Sequence, residues 1–279
     1  MKARWMLFAT LTLGAATLAG CPGRPCPTQP FTDPSSALDA YRDMRSPARV
    51  LRAEARVERR DTEGRIRGTV LMYIDRPDRV RFDAQTQFGP AAILTSDGDA
   101  FALTDLGANR FLFGPTCPSN IERMLGLRFS APEVTRLLLG ETPRIEATSS
   151  RMRCDDGRYL VTLEDARGRR QELELEVREQ DIRLPPDEQR MRLRKSEVFA
   201  PDGSLEWRVT YDDYRFVRDP SDDDGRGVVM PYTVRFEDPR RGADTRVRFN
   251  DVELNVAVPD GVFSQVPRPG LAEELVECE

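Results

Sequence analysis

The residues best equipped for covalent chemistry in this chain are its five cysteines, because it contains no histidine. Without an imidazole, Ser-His-Asp and Cys-His hydrolysis, most catalytic zinc sites and haem ligation are all removed. No phosphate-cradling G-x-x-x-x-G-K-[ST], no G-x-G-x-x-G and no G-x-S-x-G occurs. Carboxylates abound, but among 47 acidic residues a neighbouring pair says nothing. The run Ser221-Asp222-Asp223-Asp224-Gly225 offers oxygen ligands, yet it misses the register of a calcium loop and reads as a solvated turn. The sequence points away from an enzyme, and neither metal nor cofactor is expected.

The cysteines fall into two groups. Met1-Lys2-Ala3-Arg4 is a basic start, and the mostly apolar stretch from Trp5 to Gly20 ends in Leu18-Ala19-Gly20-Cys21. Residues 1–20 have the layout of a secretory leader and are too short for a comfortable membrane span. The Leu-Ala-Gly-Cys order is that of a lipobox, in which Cys21 takes the lipid and the leader is cut before it. Several acyl chains on one residue anchor stably where one is marginal. Pro22 follows in place of an aspartate, which favours the outer membrane and its periplasmic face. The remaining four are Cys26, Cys117, Cys154 and Cys278. An even number in an exported chain suggests two disulfides, and no C-x-x-C pair exists. The expected pairing is Cys117–Cys154, clasping a helical insertion to the next strand, with Cys26–Cys278 tying the two ends.

Losing Lys2 and Arg4 with the leader takes the formal charge from −5 to −7. An acidic chain with interleaved charges has no electrostatic footprint for nucleic acid or for an anionic membrane surface.

The elements that must position these groups are mostly strands. Residues 21–32 are proline-rich and read as a short lipid-anchored tether. Asp33-Pro34 opens a helix with an N-cap and a first-turn proline, striped by Ala37, Leu38, Tyr41 and Met44 and stopped by Pro47. Leu51, Ala53, Ala55 and Val57 then alternate with charged residues, and Ile66, Gly68, Val70, Met72 and Ile74 return. Ala91 to Thr95 and Ala100 to Thr104 flank Ser96-Asp97-Gly98-Asp99, a hairpin signal. Ser119-x-x-Glu122 and Ser130-x-x-Glu133 both read as capping boxes, with Ile121, Met124, Leu125 and Val134, Leu137, Leu138 on one face of each helix. Gly126 and Gly140 mark their ends. Alternation resumes from Tyr159, and a one-residue shift at Asn250-Asp251 reads as a bulge. About a dozen strands with three helices in about 255 mature residues fit one β domain over 33–279. Such a sheet must curl to hide its apolar face.

This order resembles the LolA/LolB lipoprotein-carrier family, and LolB-type receptors most of all. The likeness rests on Phe88-Gly89-Pro90, Asn109-Arg110-Phe111, Ile121 to Leu127, Leu137-Leu138-Leu139-Gly140, Met230-Pro231 with Val234-Arg235-Phe236, and Arg246-Val247-Arg248-Phe249. It spans most of residues 48–256, and its order and spacing weigh more than any one motif. The resemblance implies a curved antiparallel half-barrel with a helical lid around an apolar cavity. It also implies binding of lipid acyl chains or acylated lipoproteins, handed over by a soluble periplasmic carrier. Leu71, Ile93, Phe101, Leu103, Phe111, Leu137 and Leu138 are the candidate cavity residues. Phe88, with Gly89 and Pro90, stands where the family projects an apolar side chain for delivery to the membrane; the other reading is that its ring folds back into the core or packs on a neighbour. The chain is longer than a typical LolB around residues 150–200 and after 256, and its cysteines are not a feature of that receptor. From a different class comes a structural or assembly lipoprotein with a packed, dry interior that docks a protein partner.

Overall fold

The computed structural model describes residues 23–62, 64–126 and 128–279. The leader and Cys21, with the lipid attachment expected there, lie outside the described residues.

In chain order the elements are α1 (Pro34–Asp43), β1 (Val50–Asp61), β2 (Gly64–Asp75), β3 (Arg79–Thr86), β4 (Gly89–Ser96), β5 (Ala100–Asp105) and β6 (Arg110–Pro115). Next come α2 (Pro118–Leu125), α3 (Ala131–Leu138), β7 (Ala147–Asp155), β8 (Arg158–Asp165) and β9 (Arg170–Val177). The chain closes with β10 (Met191–Phe199), β11 (Leu205–Arg218), β12 (Gly227–Asp238), β13 (Ala243–Leu254) and β14 (Ala272–Leu275). All strands join one open, curved sheet in the order β14-β6-β5-β4-β3-β2-β1-β13-β12-β11-β10-β9-β8-β7.

Period-two alternation becomes two rows across the sheet. Ala53, Met72, Phe82, Leu94, Leu103 and Leu112 stand opposite one another from β1 to β6. All six are buried, and each large one contributes roughly 1.5–3 kcal/mol of apolar burial. The next row, Glu54, Leu71, Asp83, Ile93, Thr104 and Phe111, faces the other way. The helices pack on the first, inner face, where Ile121, Val134, Leu137 and Leu138 join the core.

Every pairing from β6 across to β7 is antiparallel. Successive turns therefore alternate between two rims. The β1–β2, β3–β4, β5–β6 and β12–β13 turns lie on one rim. The β2–β3 and β7–β8 turns lie on the opposite rim.

The caps follow the sequence in two helices of three. Asp33 accepts from the Ser36 amide at 2.8 Å and starts α1. Glu133 reaches back to the Ser130 amide at 2.8 Å and starts α3. In α2 the N-cap is Cys117, not Ser119. Proline at the next position already supplies the helical φ, so the helix begins two residues early. Ser119 instead accepts from the Glu279 amide at 3.1 Å, and Glu122 pairs with Arg241. Gly126 and Gly140 end the helices with φ of +67° and +81°. The bulge is real: Glu54 pairs with Asp251 and Ala55 with Phe249, leaving Asn250 as the extra residue. Pro231 sits inside the sheet without breaking the β12–β13 ladder, because that pairing begins only at Thr233.

The disulfides differ from the expected pairing. Cys26 joins Cys154 and Cys117 joins Cys278, with Cα separations of 6.0 and 6.1 Å. The reason is the C-terminal segment, which crosses the outer face and adds β14 parallel to β6. That brings Cys278 to Cys117 at the end of β6. On the way, Gln265 donates to the carbonyls of Ile93 and Ala102 at 3.0 and 3.2 Å and accepts from Thr104 at 2.8 Å. The N-terminal segment is likewise not a free tether from Gly23 on. The Arg24 amide donates to Asp156 at 2.7 Å, Cys26 is bonded to Cys154, and the Thr28 amide donates to Ile182 O at 2.9 Å.

Candidate functional site: an apolar hollow and its mouth

Sheet curvature and the two central helices leave a hollow of about 350 Å³. Met72, Phe82 and Leu103 line it from the sheet, Val134, Leu137 and Leu138 from α3, and Val234, Phe236 and Val247 from the far half. Apolar walls arise because every lining strand presents its inner-face residues here. One polar group stands out: the Thr245 hydroxyl is buried in this lining and has no hydrogen-bond partner among the described residues. A buried hydroxyl without a partner is costly, so it is a ready donor or acceptor for a polar group entering the hollow.

The hollow opens at the rim of the β1–β2, β3–β4 and β5–β6 turns, where Arg59, Arg67, Thr86, Asp105 and Gly107 join the lining. These charges are mostly matched: Arg59 pairs with Asp61 at 2.7 Å and Arg67 with Glu58 at 3.1 Å. Desolvation pushes the Glu58 carboxyl up, but the hydrogen bonds and charges of Arg67 and Arg60 together outweigh it and hold the group below its ordinary value. On the same rim, burial pushes the Asp238 carboxyl up against its backbone hydrogen bonds from Arg241 and Arg240. None of these groups is placed as a nucleophile beside a base, and the walls behind them are apolar. Among the described residues, no group of three or more His, Cys, Asp or Glu could hold a metal ion.

Phe88 projects from this mouth rim. Gln87-Phe88 forms the β3–β4 turn, in which the Phe88 amide donates to Thr86 Oγ1 at 3.2 Å and that hydroxyl donates to Gly89 O at 3.2 Å. Gly89 has φ +112°, a value that favours glycine there. Phe88 is 91% exposed, and Ile66 on the same rim is 62% exposed. Two large apolar side chains in water beside an apolar opening are the informative kind of exposure.

Of the seven candidate cavity residues, Leu103, Leu137 and Leu138 meet in the hollow. Phe101 shares their face but is buried in the core, outside the lining of the hollow. Leu71, Ile93 and Phe111 are corrected: all three belong to the outward row. Leu71 lies between Val70 and Met72, so the strand's own alternation turns it outward, and it is 40% exposed. Phe111 is buried because the C-terminal segment with Phe263 and Gln265 covers it, not because it faces the hollow. Val57, Met72, Phe82, Val209, Val234, Phe236 and Thr245 were missed as lining, although the alternation of their strands marks most of them as inward.

No protein-family model matches the chain, and no curated protein matches it in sequence. Solved structures do resemble it. A LolA superfamily protein from Nitrosomonas europaea aligns with TM-score 0.54 at 12% identity, over 84% of this chain and 99% of that one. A domain from Vibrio parahaemolyticus named for outer-membrane lipoprotein sorting gives 0.52 at 12% identity, over 83% and 97%. A DUF1329 family protein from Desulfovibrio piger gives 0.55 at 12% identity, over 84% and 98%. At this identity the likeness concerns the fold alone, and that fold is LolA/LolB-like.

Proposed function

We propose that this chain is a lipid-anchored envelope protein, held at the periplasmic face of the outer membrane through Cys21, that shelters acyl chains in its hollow. The observation that carries the reading is an apolar cavity of about 350 Å³ opening beside the exposed ring of Phe88. In this reading the sheet is a half-barrel and α2 and α3 are its lid. An acylated lipoprotein, delivered by a soluble periplasmic carrier, places its chains against Met72, Phe82 and Leu138. Each methylene removed from water contributes about 0.8 kcal/mol, so no catalysis is needed. The Thr245 hydroxyl meets the ester or amide at the head of a chain. Phe88 enters the apolar interface of the receiving bilayer as the mouth releases its cargo.

The test is native mass spectrometry of the full chain purified from a bacterial envelope, with solvent extraction of the complex. The reading expects a stoichiometric acyl lipid. It also expects that lipid to be lost in Leu103→Glu, where a carboxylate in an apolar wall costs several kcal/mol, while circular dichroism stays unchanged. A well-folded, empty wild-type chain would favour the structural lipoprotein with a packed interior.

A further inference from the structure

The rim opposite the mouth has a different chemistry. The end of α1, the β2–β3 corner and the end of α3 enclose an open basin of about 470 Å³ whose lining includes Arg42, Arg49, Arg76, Arg136 and Arg144. The one carboxylate in that lining is Glu141. Even with Asp39 and Asp43 at its border counted, five cations face three anions. This is unlike the sheet faces, where arginines meet carboxylates across strands, as Arg235 meets Asp244 at 2.9 Å.

The basin is partly rigid. Arg76 donates to the Ala48 carbonyl at 2.8 Å and to Glu141 at 2.6 Å. Arg49 and Arg136 are exposed and make no ion pair among the described residues. Arg144 is held below its ordinary value by burial, against the pull of Asp39, and the charges of Arg42 and Arg136 add to the lowering. Crowded guanidinium forks with too few carboxylates suit a ligand with several anionic oxygens, because the fork matches phosphate geometry. The N-terminal segment reaches the domain on this same rim, at the β7–β8 turn, through Arg24–Asp156 and Cys26–Cys154.

We infer that the Arg42/Arg49/Arg76/Arg136/Arg144 basin binds a phosphate-type oxyanion. Its source is either a phospholipid headgroup of the membrane near the N-terminal attachment or a free phosphate. The oxyanion site stands on the basin's own geometry and does not depend on acyl chains occupying the hollow.

The experiment titrates the full chain, in maltoside micelles at constant ionic strength, with inorganic phosphate in one arm. In the other arm the micelles are doped with phosphatidylglycerol or, as the phosphate-free control, with diacylglycerol. Calorimetry reads binding by the wild type and by Arg49→Ser/Arg136→Ser, which removes the two unpaired forks. Saturable binding of inorganic phosphate, weakened about tenfold or more per arginine, supports the site and assigns a free oxyanion. Binding only to phosphatidylglycerol, with the same weakening, supports it and assigns a headgroup. Binding of neither probe, or equal binding by wild type and variant, overturns it. Arg136→Gln alone, on the exposed side of α3, replaces the double variant if the latter fails to fold. Acyl lipid retained in the hollow of the same variant separates this result from failure of the carrier reading.

Discussion

The two rims of this sheet differ in almost every respect that matters for function. The mouth rim has an apolar opening, Phe88 and Ile66 in water, and arginines largely matched by carboxylates. The opposite rim has five arginines facing three carboxylates and receives the N-terminal segment. Strand β3, eight residues long, separates Phe88 from the β2–β3 corner by on the order of 25 Å at roughly 3.3 Å per residue. The apolar opening and the docked N-terminal segment therefore lie at opposite ends of the strands. An antiparallel sheet provides this separation at no cost, since alternate turns must fall on opposite rims.

The largest way to break this arrangement is to remove the staple that holds the N-terminal segment to its rim. Replacing Cys26 and Cys154 by serine opens a loop of 128 residues and is expected to lower stability by about 2–5 kcal/mol. Denaturant unfolding measures that loss, and limited proteolysis should then cut between Gly23 and Phe31. A smaller effect probes the interior of the mouth side. Thr245→Val removes an unpaired buried hydroxyl and is expected to raise stability by about 1 kcal/mol while weakening retention of an ester-headed lipid, read by native mass spectrometry. Phe88→Glu sharpens the contrast further. With its side chain in water, stability should change by less than about 0.5 kcal/mol, whereas transfer of acylated cargo to vesicles should slow markedly in a time-resolved transfer assay.

The smallest expected effect is a pH dependence at α1, near the arginine basin. Hydrogen bonds from Ser35 and the Ser36 amide lower the Asp33 carboxyl to about 2. A folded value below the unfolded one means that the cap's contribution is fully present above about pH 4. It fades as pH falls through about 2. Hydrogen exchange should show α1 fraying over that window, with the sheet amides unchanged.

The sequence made the strand alternation, the Asp97-Gly98 hairpin, the Asn250 bulge and two helix caps legible because each is a local pattern. It misled wherever a residue's surroundings come from distant chain. Phe111 looks like a cavity residue by type, yet its cover is the segment around Phe263 and Gln265, about 150 positions away. The disulfide pairing failed for the same reason: nothing local announces that β14 runs parallel to β6 and delivers Cys278 to Cys117. Leu71 is different, because the alternation of Val70 and Met72 already turned it outward. The arginine basin was not seen at all. Its members come from α1, two corners and the end of α3, and each alone is one arginine among many.

Photo-crosslinking with a lipid bearing a diazirine at the end of its acyl chain, mapped by peptide mass spectrometry on the full-length protein, decides whether acyl chains enter the hollow. Adducts are expected on the inner row and the helix over it, at Met72, Phe82, Leu103 and Leu137, and none at Leu71 or Ile93 on the adjacent outward row. Adducts confined to the outward row, or none on either, would contradict a carrier that holds acyl chains in its hollow.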